Sequence, residues 1–290
     1  MIRTSIVVAA AALLALPAVA LAGPLEASDT NAVMKEQVMA LVAGKPADFA
    51  ATFSATAFLI LPNAAGEAYG RAAIERAAKA WLGPTAPDSV AGDAPTCGDA
   101  GAPPTTGVAI CTSTITVERK AGKTAYRVQF AVANLGGANL VVAEHISEGV
   151  PDPTAIALAT AHELPALPEL STPDDQAGAV DVALDPQRIA AQTPDASDGV
   201  SLIGSAPGEV ALGKRAVTAK LAAWKHLALD STAFAFGHLG GVKDFDLVWV
   251  AAHVTATIGK AHVPYRALAI YAIDAKGARL EGASFSVATK

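Results

Sequence analysis

Chemistry in this chain would have to come from few residues. Six histidines are present, His145, His162, His226, His238, His253 and His262, and none forms H-x-H or H-E-x-x-H. A histidine metal site therefore has no support in the spacing. His253 is the best pocket candidate. It shares a strand face with Trp249, and Tyr265 or Tyr271 could be a cross-strand neighbour. The competing reading is a hydrogen-bonded histidine in or near a core. His226 follows Trp224 by two residues on a helix and is expected to face solvent. The candidate ligand-binding side chains are Trp224, Trp249, His253, Tyr265, Arg266, Tyr126 and Arg127, with His253 and Tyr265 the candidate catalytic pair. Arg127 and Arg266 each lie inside a strand pattern. Buried there, an arginine needs a carboxylate or invites an anionic ligand; at a sheet edge it is a surface or interface residue.

Two tempting motifs fail. Gly208-Glu209-Val210-Ala211-Leu212-Gly213-Lys214 imitates a phosphate-binding loop, but Arg215 replaces the required Ser or Thr. Glu209 also puts negative charge where a phosphate would sit. Gly204-Ser205 is not a G-x-S-x-G elbow, and no His/Asp set follows in hydrolase order. No cofactor is implied.

The residues that would position these groups repeat. Placing Tyr126-Arg127 on Tyr265-Arg266, a shift of 265−126 = 139, lays Val108–Ser147 on Leu247–Ser286 without a gap. Farther forward the shift is 213−70 = 143: Gly70 meets Gly213, Trp81 meets Trp224, and Ala57–Ile60 meets Val200–Ile203. The loop before the first meander is thus four residues longer, and it holds Cys97.

Each copy reads as helix and strand followed by three antiparallel strands. In the first, 30–42 and 46–53 are helical, 57–61 is a strand, 72–82 a helix, and 84–106 a Gly/Pro/Ala-rich loop. Strands follow at 108–117, 125–132 and 140–146. Residues 151–184 have linker composition, with prolines at 151, 153, 165, 168 and 173 and room for one short helix at 154–161. The second copy runs over 185–290, with a strand at 200–203, a helix at 216–227, and strands at 244–258, 264–273 and 279–287. On the strand from Leu247, the odd positions Leu247, Trp249, Ala251, His253 and Thr255 make one face. The even positions Val248, Val250, Ala252, Val254, Ala256 and Ile258 make another, almost wholly apolar. A sheet with weight on both faces is expected to be covered on both.

Composition sets the remaining bounds. Hydrophobic residues make up 52% and charged residues 17%, enough for real cores. The N-terminus reads as an export signal over 1–22: Arg3, an apolar run over 6–21, and Ala20-Leu21-Ala22 before Gly23. The run is short for a membrane anchor, which is the alternative, and no Cys at the cut offers lipid attachment. Removing Arg3 takes the net charge from −6 to −7. No basic stretch could follow a phosphate backbone, so nucleic acid is disfavoured. The expected location is secreted or periplasmic, with no membrane contact after cleavage. In an exported chain two cysteines, Cys97 and Cys111, suggest a disulfide, worth roughly 3 kcal/mol by the chain-entropy argument; two free thiols are the alternative.

Each copy resembles the NTF2-like superfamily, in its SnoaL-like branch. In the second copy the resemblance rests on Gly204-Ser205-Ala206-Pro207-Gly208-Glu209 with Gly213, on Trp249-Val250-Ala251-Ala252, Pro264-Tyr265-Arg266 and Phe285-Ser286. In the first it rests on Gly70, Tyr126-Arg127 and His145-Ile146-Ser147. The resemblance implies an α+β fold of two cones, each a curved antiparallel sheet packed on N-terminal helices around a cavity. Many members pair sheet against sheet as dimers; a tandem copy can form that pair internally, as a monomer. Family enzymes use Asp/His or Tyr/Asp pairs in the cavity. Here the second meander has no Asp inside a strand, and Glu144 and His145, being adjacent, point to opposite faces. The expected function is a non-catalytic small-molecule or partner-binding module. The alternatives are an isomerase, dehydratase or hydrolase using His253 and Tyr265, and a structural duplication whose cavities are filled by side chains.

Overall fold

A computed structural model describes residues 25–63, 65–99, 107–159, 164–167, 197–224, 229–242, 245–275 and 277–289. The export signal, His162, His226, and most of the 151–184 linker with the start of the second copy lie outside them.

The chain is α+β. Its first unit contains α1 (Ala27–Val42), α2 (Pro46–Ala51), β1 (Phe53–Ile60), β2 (Glu67–Tyr69) and α3 (Arg71–Leu82). β3 (Ser89–Gly92), β4 (Thr96–Asp99), β5 (Val108–Arg119), β6 (Gly122–Leu135) and β7 (Ala138–Glu148) follow. Helix α4 (Asp152–Ala159) leads away from this unit. The second unit contains β8 (Ser201–Ile203), β9 (Val210–Leu212), α5 (Lys214–Trp224), β10 (Leu229–Val242), β11 (Phe245–Ile258), β12 (Ala261–Asp274) and β13 (Gly277–Ser286).

The two sheets have corresponding orders. The first runs β2-β1-β7-β6-β5-β3, with β4 also paired to β5; the second runs β9-β8-β13-β12-β11-β10. In each, the strand before the helix lies parallel to the last meander strand, β1 on β7 and β8 on β13, while the meander pairs are antiparallel.

Three strand assignments from the sequence need correction. The 84–106 segment is not all loop: β3 and β4 both pair with β5. Cys97 lies directly opposite Cys111 in that pairing, and the two form a disulfide. The Gly and Pro content hid two four-residue strands whose order comes from cross-strand pairing, not from propensity. β10 was missed for the same reason: Gly237, Gly240 and Gly241 break up its alternating Phe234 and Phe236. β2 and β9, of three residues each, are too short to carry a period.

Burial layers the molecule. In the first unit, Val33, Met34 and Leu41 of α1, Phe49 of α2 and Ile74 and Ala78 of α3 pack onto Ile115, Phe130 and Val141 of the sheet. In the second, Val217 and Leu221 of α5 pack onto the even face of β11, Val248, Val250, Ala252 and Val254. The odd face goes elsewhere. Leu247, Trp249 and Ala251 join Leu268 and Ile270 against Phe58, Ile60, Ile110 and Ala131 of the first sheet. Both faces of each sheet are thus covered, one by its own helices and one by the other sheet.

Trp249 anchors that inter-sheet layer. It is 1% exposed, its ring centroid lies 4.8 Å from that of Phe58, and Tyr69 lies 6.3 Å away. Gly237 sits opposite it on β10, and a Cβ there would lie 2.7 Å from the indole. Gly237→Ala is expected to force the indole off its seat and to cost about 1–3 kcal/mol, read as a lowered midpoint in chemical denaturation.

Candidate functional site

The candidate groups divide by face, because β12 places neighbours on opposite sides of the sheet. Tyr265 turns to the helix side and Arg266 to the inter-sheet side. A cavity in the second unit lies on the first of these sides.

That cavity has a volume of about 270 Å³. Trp224 closes one wall from the end of α5, its ring edge-on to Phe285 with centroids 5.7 Å apart and an interplanar angle of 90°. Ala256 and Ile258 add apolar surface, and Tyr265, Ser205, Glu209, Lys220 and Asp152 supply the polar groups. Burial pushes the Tyr265 phenol up to about 12, with the Asp152 charge adding to the rise and the Ser205 hydroxyl opposing it. At neutral pH Tyr265 is therefore a hydrogen-bond donor and not a base.

The loop after β8 builds the polar wall. Gly204 has no Cβ because one there would lie 2.3 Å from Glu209 Oε2 and 2.5 Å from the Trp224 ring. That space lets the Glu209 side chain fold back. Its Oε2 accepts from Ala206 N at 3.0 Å, and its Oε1 accepts from Trp224 Nε1 at 3.3 Å. Lys220 Nζ lies 2.6 Å from the same Oε1 and 5.6 Å from the Trp224 ring centroid. Glu209 is thus fully engaged in fixing the wall, which is why this glycine-rich segment holds a carboxylate and not a phosphate.

The remaining candidates lie elsewhere. Trp249 is a core residue of the inter-sheet layer. His253 is not in the cavity with Tyr265: their strands are in register at His253↔Arg266 and Val254↔Tyr265, so the two side chains leave opposite faces. His253 Nε2 instead meets Glu67 of the first unit, 2.8 Å from Oε2 and 3.0 Å from Oε1. Tyr126 packs edge-on against Trp81 in the first unit, 5.4 Å between centroids.

Neither strand arginine is a surface residue, and neither takes a side-chain carboxylate as its hydrogen-bond partner among the described contacts. Arg266, 0% exposed, donates from Nη1 to Asn63 O at 2.7 Å and from Nη2 to Pro62 O at 3.0 Å. Arg127 donates from Nη1 to Ala206 O at 2.8 Å and from Nη2 to Ser205 O at 3.2 Å and Glu148 O at 3.1 Å. Burial lowers the Arg266 guanidinium to about 10, against the pull of Glu67; that still leaves it charged at neutral pH. Between them His145 is fully buried, with Nε2 2.8 Å from Ser286 Oγ and Nδ1 2.7 Å from Ser284 Oγ. Burial, then the charges of Arg266 and Arg127, hold its imidazole well below the usual range, so it is neutral.

Sequence reasoning missed Lys220 and Asp152 and read Glu209 only as an argument against phosphate. Lys220 and Trp224 were within reach, since an i,i+4 pair shares a helix face. Asp152 was not, because it comes from α4, within the presumed linker.

Glu144 is the other buried acid of note. It faces the helices, opposite to His145, and Gln37 Nε2 donates to its Oε2 at 2.8 Å. Burial raises its carboxyl to about 8, with Gln37 opposing.

No family model matches the chain, and no curated protein matches it. Solved structures do. An NTF-2 like protein of unknown function from Shewanella oneidensis is 14% identical, the match covering 42% of this chain and 98% of that one, with a TM-score of 0.33. A protein of unknown function with a cystatin-like fold from Nostoc punctiforme is 17% identical over 43% of this chain and 91% of that one, TM-score 0.34. Aln2 from a Streptomyces species is 21% identical over 45% and 93%, TM-score 0.36. Likeness at this level says nothing of this chain's chemistry.

The Glu144 carboxyl gives a pH signature. Its folded pKa lies above the unfolded value of about 4.3, so its contribution is complete below that value and is lost as pH rises through about 8. His145 acts oppositely: its folded pKa is depressed, so its contribution holds above about 6.5 and is lost as pH falls. Between pH 7 and 9 only Glu144 of the two matters. Glu144→Gln should match the wild type in stability at about pH 4 and exceed it increasingly from there up to pH 8. The difference should grow at no more than about 1.4 kcal/mol per pH unit, measured by urea denaturation at each pH.

Proposed function

We propose that this protein is an exported, non-catalytic binding module of two SnoaL-like, NTF2-like units. Its small-molecule site is the cavity around Tyr265 in the second unit. The corresponding sheet orders, the helices on one face of each sheet and the packing of the other faces support reading the units as copies of one segment. A chain that pairs its own sheets needs no second copy to cover them, and we take it to act as a monomer. Gly23 is the expected first residue of the mature protein, to be read by N-terminal sequencing of the secreted or periplasmic fraction.

One observation carries the binding reading: the cavity presents a protonated phenol among apolar walls, while its built-in carboxylate is already bound three ways. Such a site offers orientation and a hydrogen bond, and its other carboxylate, Asp152, is solvent-exposed at the cavity's edge and not held beside the phenol in a buried pair. The occupant that fits is compact, largely apolar, and carries an acceptor for the Tyr265 hydroxyl. An enzyme reading that pairs His253 with Tyr265 lacks support, because those side chains lie on opposite faces of the sheet.

The test is a thermal-shift screen of small aromatic and aliphatic carbonyl compounds. At least one should raise the Tm of the wild type. Tyr265→Phe should weaken that compound's binding about 3- to 10-fold, the loss expected for one neutral hydrogen bond. Ala223→Phe, at an exposed position on the cavity wall, should abolish it. A screen in which nothing stabilises the wild type removes the proposal.

A further inference from the structure

A second cavity, of about 550 Å³, lies where the two units meet. It is not simply the first unit's counterpart of the Tyr265 cavity. Trp81 and Tyr126 come from the first unit, Thr154 and Leu158 from α4, and Thr289 from beyond the last strand of the second unit. Without the connecting helix and the C-terminal segment the walls are incomplete. The segment after β13 is held in place by Thr289 N, which donates to Pro62 O at 2.9 Å.

We infer that this junction cavity is a binding site for a neutral, polyhydroxylated ring, that is, a saccharide. Three features carry the assignment. First, the Trp81–Tyr126 pair is set edge-on, with an interplanar angle of 84°. It gives an aromatic surface with a polar rim, suited to a ring with one apolar face and hydroxyls around its edge. Second, the polar atoms want donors. The Glu148 carboxylate lines this space. A ligand hydroxyl satisfies an acceptor of this kind, and an apolar ligand would leave it unpaired at a cost. The Thr154 hydroxyl can donate or accept, and Thr289 Oγ1, which donates to Pro62 O at 3.3 Å, can still accept.

Third, the cavity does not select for charge. Its ionic side chains are one acid, Glu148, and one base, Arg119. Arg119 is already committed: Nη1 donates to Thr85 O and Nη2 to Leu82 O, each at 2.9 Å, where it caps the C-terminal end of α3. An anion meets Glu148 as well as Arg119, and an organic cation meets Arg119 as well as Glu148. A neutral ligand meets neither penalty.

The inference is independent of the Tyr265 cavity, and the test keeps the two apart. The full-length mature protein would be titrated with D-glucose, D-galactose, maltose and cellobiose. Saturation-transfer NMR and calorimetry would be the readouts, and choline chloride a cationic control. At least one saccharide should bind saturably. Thr154→Trp, at an exposed position on α4, should fill the cavity and weaken binding at least about tenfold. Glu148→Gln should weaken it while leaving the Tm close to the wild-type value. Ala223→Phe should leave saccharide affinity unchanged. The assignment is overturned if none of the four sugars binds, if Thr154→Trp binds them as the wild type does, or if choline binds and the sugars do not.

Discussion

Two buried arginines hold the halves together, and they do so reciprocally. Arg127 of the first unit reaches the carbonyls of Ser205 and Ala206 in the second. Arg266 of the second reaches the carbonyls of Pro62 and Asn63 in the first. The positions correspond: 266−127 = 139, while 205−62 and 206−63 are both 143, the same two shifts by which the two halves of the sequence align. The same carbonyls take a second donor in the same reciprocal way, Val150 N on Ser205 O and Thr289 N on Pro62 O, each at 2.9 Å. The contacts are reciprocal, as contacts across an isologous interface are. A guanidinium removed from water needs its protons satisfied. Paired carbonyls at the end of β1 or β8 meet part of that need, and they exist in the right place only if the other unit is folded and seated. Each unit thus completes the other's buried polar group.

That constraint decides what else the sheets can do. With both inner faces committed to the Phe58–Trp249 layer and the arginine clamps, ligands are left the helix sides of the sheets and the junction. The chemistry on the inner face is accordingly structural. His145 sits between the two arginines as a neutral group bridging Ser284 and Ser286. His253 is bound to Glu67, whose side chain is 1% exposed. Such a pair, once buried, is costly to break from either side, which argues for a fixed partnership and not for a proton shuttle.

Much of this was legible in the residues. The meander pattern, the two-sided apolar character of β11 and the pairing of Cys97 with Cys111 followed from period, alternation and composition, because each is a local signal. The opposite orientations of Glu144 and His145 followed from strand geometry alone. What could not be read was which face of β11 meets the helices and which meets the other sheet. His253 and Trp249 share a face with Leu247, and nothing local distinguishes a cavity wall from a sheet-to-sheet contact. The glycines misled in a related way. Gly237 interrupts the β10 pattern, yet it and Gly204 are small because an indole occupies the space a Cβ would need at each.

The two units have sheets of corresponding order but different interiors, and the differences fall among the side chains that line the cavities. Trp81 and Trp224 correspond, as do Tyr126 and Tyr265, so each unit keeps an aromatic pair of the same types beside its cavity. Around that constant element the polar groups diverge. Ala77 of the first unit is matched by Lys220 of the second, and Gly66 by Glu209 (both 143 apart), so only the second cavity contains the Lys220–Glu209 pair. Glu144 is matched by Ala283 (139 apart), and the last strand of the second unit buries Glu281 instead, held by Ser197 N and Arg279 Nε. Helix α4 falls between the units and contributes Asp152 to one cavity and Thr154 and Leu158 to the other. A backbone held in register by matched arginine clamps tolerates such divergence, because the two arginines do not themselves line the cavities.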